Sequence, residues 1–130
     1  MLSHNQPTAA SSTLGGGFGP GQAVDGNWGT PWVSQIPSGG IDWLYVDLGG
    51  NSAITQVVIV WGIGYAQAFQ IEVSDNATDW TSVYSTSGEQ GGNDTISLFA
   101  SGRYLRVYNT QLTAVNYYSI RELEIYGSIP

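Results

Sequence analysis

The stretch FQIEVS, residues 69–74, places Phe69, Ile71 and Val73 on one face and Gln70, Glu72 and Ser74 on the other. That period of two is the signature of a β-strand with one buried and one wet face. Working outward, comparable runs recur: WLYVDLG from Trp43, AITQVVIVWG from Ala53, WTSVYS from Trp80, DTISLF from Asp94, RYLRVYN from Arg103 and SIRELEIYG from Ser119. Runs at this spacing predict an all-β sandwich or barrel. AITQVVIVW is almost continuously apolar and β-branched, which predicts a central strand covered on both sides. Gly49-Gly50-Asn51, Asp75 to Asp79 and Ser87 to Asn93 punctuate the runs and read as hairpin loops. No segment joins two caps to a 3.6-residue period, so helix content should be small.

At 130 residues the chain has the length of one domain, with 42% hydrophobic and 12% aromatic residues to fill a core. Ten acidic residues against three arginines and no lysine leave a formal net charge of −7. This works against nucleic acid and anionic membranes, both of which need basic clusters. No run reaches the roughly 18 apolar residues of a membrane span. Zero cysteines remove disulfides, thiol nucleophiles and thiolate metal sites. Two glycosylation tripeptides, at Asn76 and Asn93, carry little information because such triplets arise by chance.

The N-terminal third is different. SSTLGGGFGPGQAVDGNWGTPWVSQIPSGG contains no clean strand, and a long loop in a small domain calls for a functional reason. Catalysis finds little support: the only histidine is His4, near a terminus expected to fray, and a Ser-His-Asp arrangement needs a fixed base. Glu122 and Glu124 share a strand face but lie on parallel vectors rather than across a cleft. No catalytic residue is therefore assigned. Asp25, Asn27 and Thr30, spaced i, i+2 and i+5, could converge oxygens on calcium; the same spacing also suits an Asx-turn capping nearby amides. Sugar stacking is the other chemistry that the aromatics permit. Trp43, Trp80, Tyr104, Tyr108 and Tyr126 sit in β-runs and read as core, whereas Phe18, Trp28, Tyr65 and Tyr117 sit in loops.

The order ASST, AVDGNWGTPWVSQ, DWLYVDLG, ITQVVIVWG, YAQAFQIEVSDNATDWTSVYS, RYLRVY and YSIRELEIYG resembles the discoidin or factor V/VIII type C family. Within it the chain is most similar to bacterial carbohydrate-binding modules of family 32. The resemblance implies a single-domain jelly-roll β-sandwich over residues 9–130 with a tail at 1–8. It also implies a non-catalytic, monomeric appendage of a secreted glycoside hydrolase or lyase whose signal lies outside this sequence. A structural calcium would take side-chain oxygens of Asp25, Thr30 and Glu122, with backbone carbonyls of Gln22, Asn27, Thr30 and Arg121.

Family members bind ligand with loops at one end of the sandwich. Here these are Leu14 to Pro20, Pro31 to Gly40, Trp61 to Ala66 and Ala114 to Tyr118. They carry Phe18, Gln35, Tyr65, Asn116 and Tyr117, with Trp28 a secondary contact from the ion loop. The 61–65 loop has no charge, which argues against an ammonium-bearing sugar such as chitosan, and the loops lack the His and Arg pair of galactose binders. A neutral glucan-like polysaccharide or oligosaccharide is the expected partner. The alternatives are a chitosan- or galactoside-binding lectin-like module, or a protein- or phospholipid-binding discoidin domain; the last is disfavoured by the absence of basic residues in these loops.

Overall fold

The structure is a computed structural model that describes residues 1–129. Seven strands form: β1 (Thr8–Ala10), β2 (Trp32–Val33), β3 (Asp42–Trp61), β4 (Ala68–Ser74), β5 (Thr81–Thr86), β6 (Asn93–Gln111) and β7 (Ser119–Ser128), with a single 3₁₀ turn over Pro20–Val24. Every strand pairing is antiparallel, in the order β2-β7-β3-β6-β4-β5 with β1 added to β3. The sandwich is an all-β fold, as the alternation predicts.

Two pairs of predicted strands are fused. WLYVDLG and AITQVVIVWG are the halves of β3, and DTISLF and RYLRVYN are the halves of β6. Gly49-Gly50-Asn51 is therefore a bend inside β3, not a hairpin loop; Gly49 has φ +87° and the β3–β6 register shifts between Asp47 and Ser52. The first half of β3 pairs β1 and the end of β6, and the second half pairs β7 and the start of β6. This one bent ribbon feeds both layers. The second half of β3 is central, as expected, yet it alternates between buried and open positions: Ile54 and Val57 are buried while Ala53 and Thr55 are exposed.

The core joins Leu44 and Val46 of β3, Phe69 and Ile71 of β4, Leu105 and Val107 of β6, and Ile120, Leu123 and Ile125 of β7, with Trp32 fully buried. Each such side chain stabilises by about 1.5–3 kcal/mol on burial. Trp43, Trp80, Tyr104, Tyr108 and Tyr126, expected in the core, are instead half-buried on outward positions of the sheets. Alternation explains the error: on β3 and β6 they stand between the buried Leu44, Val46, Leu105 and Val107. The supposedly wet face of β4 is covered as well: Glu72 is 8% and Ser74 5% exposed, and Glu72 accepts from Arg106, which stands against Trp43, Trp80 and Tyr108.

Residues 1–8 are not a loose tail. The Leu2 amide donates to the Ile125 carbonyl at 2.7 Å, the buried Ser3 hydroxyl to the Leu123 carbonyl at 3.1 Å, and the Asn5 amide to the Val24 carbonyl at 2.8 Å. His4 lies against Gly26. Short β1 and β2 escape sequence reading because two or three residues show no period.

Candidate functional site

Backbone hydrogen bonds zip four loops together at one end. The Leu14 amide donates to the Val33 carbonyl, Val33 to Phe18, Ser34 to Tyr118, Ser38 to Asn116 and Ser119 to Gly64. Beneath them Asp42, 2% exposed, accepts three hydroxyls: Ser11 at 2.6 Å and Ser12 at 2.7 Å on Oδ1, and Ser38 at 2.6 Å on Oδ2. The buried Tyr118 hydroxyl donates to the Gly40 carbonyl at 2.6 Å; burial and then the Asp42 charge push its phenol up to about 12. Asp42 is thus the post that fixes the loops. Sequence reading missed it because its serine partners are spread from Ser11 to Ser38.

The expected sugar contacts Phe18, Gln35, Tyr65, Asn116 and Tyr117 lie on the loops that these bonds join. Tyr117 lies on Gly64, where a Cβ would come within 2.6 Å of the ring, and Tyr65 lies on Gly91, where one would come within 2.7 Å. Both tyrosines are half-buried, held on glycine floors that no side chain could share. Gln35, Asn116 and Phe18 are exposed on the joined loops, Phe18 by 37%. Leu14, Ile36, Ile63 and Val115 add an apolar rim with no basic residue among them. Trp28, 50% exposed, stands apart; its carbonyl accepts from Arg121 Nη1 at 3.3 Å.

A fifth loop joins the site, the β5–β6 connection that reads in sequence as a mere hairpin. Besides Gly91 under Tyr65, its Glu89 amide donates to the Gln67 carbonyl and its Gly92 carbonyl accepts from the Trp61 amide. Asp94 accepts Trp61 Nε1 at 2.7 Å. Burial, and next the facing Asp94 carboxylate, push the Glu89 carboxyl above its usual range. Glu89 on this loop and Asp94 at the start of β6 therefore flank the Gly91 on which Tyr65 lies.

The 25–30 turn is a pair of Asx-turns: Asp25 Oδ1 accepts the Asn27 amide and Asn27 Oδ1 the Gly29 amide, each at 2.9 Å. Thr30 Oγ1 donates to Asp25 Oδ2. Glu122, fully buried on β7, reaches this turn; its Oε2 accepts the Gly26 amide at 3.1 Å and its Oε1 has no partner among the described residues. Burial first raises its carboxyl to about 7, with the Asp25 and Glu124 charges adding, against the lowering effect of the Gly26 amide. Gln22 lies in the adjoining 3₁₀ turn, while the Arg121 side chain is engaged with Trp28. An orphaned buried carboxylate oxygen beside a second carboxylate is a donor set that fits a hard cation.

Fold and loops together define an antiparallel β-sandwich whose loops are hydrogen-bonded to one another at one end. The chain belongs to the F5/8 type C domain family, whose model matches residues 7–123. No match was found among curated proteins. Among solved structures, the chain is similar to chitosan-binding module 2, in complex with chitotriose, from a chitosanase/glucanase of Paenibacillus sp. IK-5, at 36% identity over 98% of this chain and 100% of that one, TM-score 0.93. Module 1 of the same enzyme is 35% identical over 97% and 98% of the two chains, TM-score 0.92. The family 32 carbohydrate-binding module of AlyQ, in complex with 4,5-unsaturated mannuronic acid, is 25% identical over 98% and 100%, TM-score 0.79.

Proposed function

We propose that this chain is a non-catalytic module that binds a polysaccharide or oligosaccharide through Tyr65 and Tyr117, within a longer secreted carbohydrate-active protein. The observation that carries the reading is the seating of both tyrosines on glycine floors at the loop end, which leaves ring surface for the apolar face of a pyranose. Gln35 and Asn116 stand beside them as hydrogen-bonding groups for sugar hydroxyls. Calcium would be structural, held by Asp25, Thr30 and Glu122 with carbonyl oxygens of Gln22, Asn27, Thr30 and Arg121; it would tie β7 to the early loop. Tyr65→Ala and Tyr117→Ala, each still folded at the assay temperature, should weaken retention on an immobilised glucan about tenfold, ~1.4 kcal/mol. Unchanged retention of both variants would reject the site.

A second reading, an amino-sugar chain such as chitosan, is favoured by Glu89 and Asp94. The 61–65 loop is itself uncharged, but Gly91 under Tyr65 lies between Glu89 and Asp94, two carboxylates that face each other, and chitosan-binding modules are similar to this chain at 35–36% identity. An ammonium group gains from a carboxylate partner and from an aromatic face. Retention on chitosan compared with neutral β-glucan separates the two readings.

A further inference from the structure

Outward positions on a half-wet antiparallel sheet normally carry polar side chains. Here they carry Trp43 and Tyr45 of β3 and Tyr104 and Tyr108 of β6, and Trp80 joins them from the β4–β5 turn. Tyr45 lies 5.6 Å, centroid to centroid, from each of Trp43, Trp80 and Tyr104. Arg106 stands in their midst, its guanidinium carbon 4.2 Å from the Trp80 ring centre, 4.8 Å from Tyr108 and 5.5 Å from Trp43. Its Nε donates to Glu72 Oε1 at 2.7 Å; among the described residues no acceptor takes its terminal N–H groups, although the side chain is only 13% exposed. The result is a patch of aromatic surface with unused donors at its centre.

We propose that this face is a second saccharide-contact surface that takes an uncharged pyranose chain. The proposal rests on the saccharide-binding reading of the loop end and adds a surface to it. Charge selects the occupant. Arg106 pairs with Glu72 and Arg103 with Asp47, so the patch is neutral within itself, although the whole protein carries −7. A polyanion would be repelled by the protein as a whole, and a polycation would meet two of its three arginines. A glucan offers C–H faces for the rings and hydroxyl acceptors for the guanidinium. The surface is also continuous with the loop end. Trp43 follows Asp42, the post of the loops, and the rows Trp43–Tyr108, Tyr45–Arg106 and Asp47–Tyr104 succeed one another about 7 Å apart along the strands.

The test uses the intact chain, a soluble β-1,4-glucan, a soluble β-1,3-glucan and chitosan in affinity electrophoresis. Trp80→Ala should reduce retardation by at least one of the glucans threefold or more, and should lower the residual retardation of a Tyr65→Ala/Tyr117→Ala variant further. In the wild-type protein, whatever the folding of the variant, the indole N–H resonances of Trp80 and Trp43 should shift on adding a β-1,4- or β-1,3-linked glucohexaose. Glucan retardation unaffected by Trp80→Ala, with both indoles unmoved, overturns the surface and leaves the loop site standing. Retardation by chitosan alone also overturns only the surface, and retardation by none of the three overturns both. Concentration-dependent dimerisation abolished by Trp80→Ala, with both indoles unmoved by the hexaoses, would assign the face to a second copy of the chain.

Discussion

Glu122 accepts the amide of Gly26 across 96 positions of sequence, and its other carboxylate oxygen is buried with nothing to bond. That contact ties the last strand to the 25–30 turn, beside Asp25. A carboxylate so placed is costly when ionised and unpaired, and is relieved either by a proton or by a cation.

The first expectation follows from that choice. In chelator, a folded-state pKa of about 7 against the ordinary 4.5 means that the native state binds the proton more tightly. The contribution is fully present below about pH 4.5 and is lost as pH rises through about 7, so the chelated domain should melt lower at pH 8 than at pH 5.5 on this account. Added calcium should raise Tm most at pH 8, where the carboxylate is ionised. Thermal scans with and without calcium across that range measure it; a Tm indifferent to calcium at pH 8 rejects the ion.

Glu122→Gln separates the ion from the fold. The amide keeps an acceptor for Gly26 and removes the buried charge, so the variant should fold and lose any calcium-dependent gain in Tm. Trp28→Ala, changed only at an exposed side chain of the same turn, should keep that gain and leave saccharide retention unaltered.

Much of the architecture was legible because alternation is a local signal, and FQIEVS, RYLRVY and ELEIY each report their own inward face. What was not legible depended on distance. Nothing near Gly49 says that β3 bends there and continues, and nothing in GEQGGND says that its Gly91 will lie under Tyr65. The aromatics misled for a related reason: hydrophobicity marks Trp43 and Tyr104 as buried, but a strand has two faces and Leu44 and Leu105 already own the core. Tyr65 and Tyr117 were readable as loop aromatics, whereas the glycine under Tyr65, with Glu89 and Asp94 to either side of it, comes from more than twenty residues downstream.

The glycine floors give a stability test of the site. At Gly64 a methyl group would meet the Tyr117 carbonyl and ring, so Gly64→Ala should displace Tyr117 and destabilise by about 1–3 kcal/mol. Gly91, at φ +78°, combines strain with the Tyr65 clash and should behave alike. Gly50→Ala, which meets no atom within 4 Å and lies in the bend of β3 outside these loops, is the control. Tm and glucan retention should fall together in the first two and hold in the third.

Asp42→Ala tests the post under the loops. Three hydroxyls lose their acceptor in a buried setting, a penalty on the order of 2–4 kcal/mol, and the loops they tether should loosen. Faster amide hydrogen exchange confined to residues 11–18 and 34–40, with the β4–β5 hairpin unchanged, is the expected pattern. Uniform acceleration would mean that Asp42 serves the whole core and not the loops.

Glu89 and Asp94 decide between a neutral and an amino-bearing chain. The Glu89→Gln/Asp94→Asn variant keeps hydrogen-bonding groups of the same shape and removes both charges, so a neutral glucan should be retained as before. If an ammonium group binds beside Tyr65, retention on chitosan should fall tenfold or more, and high salt should weaken the wild type toward the variant. Once the chitosan amines are fully protonated, wild-type retention should decline as pH falls further, since Glu89 takes up its proton earlier than an ordinary carboxyl. Equal losses on both polymers would show that the pair only supports the loop, through the Trp61 indole held by Asp94.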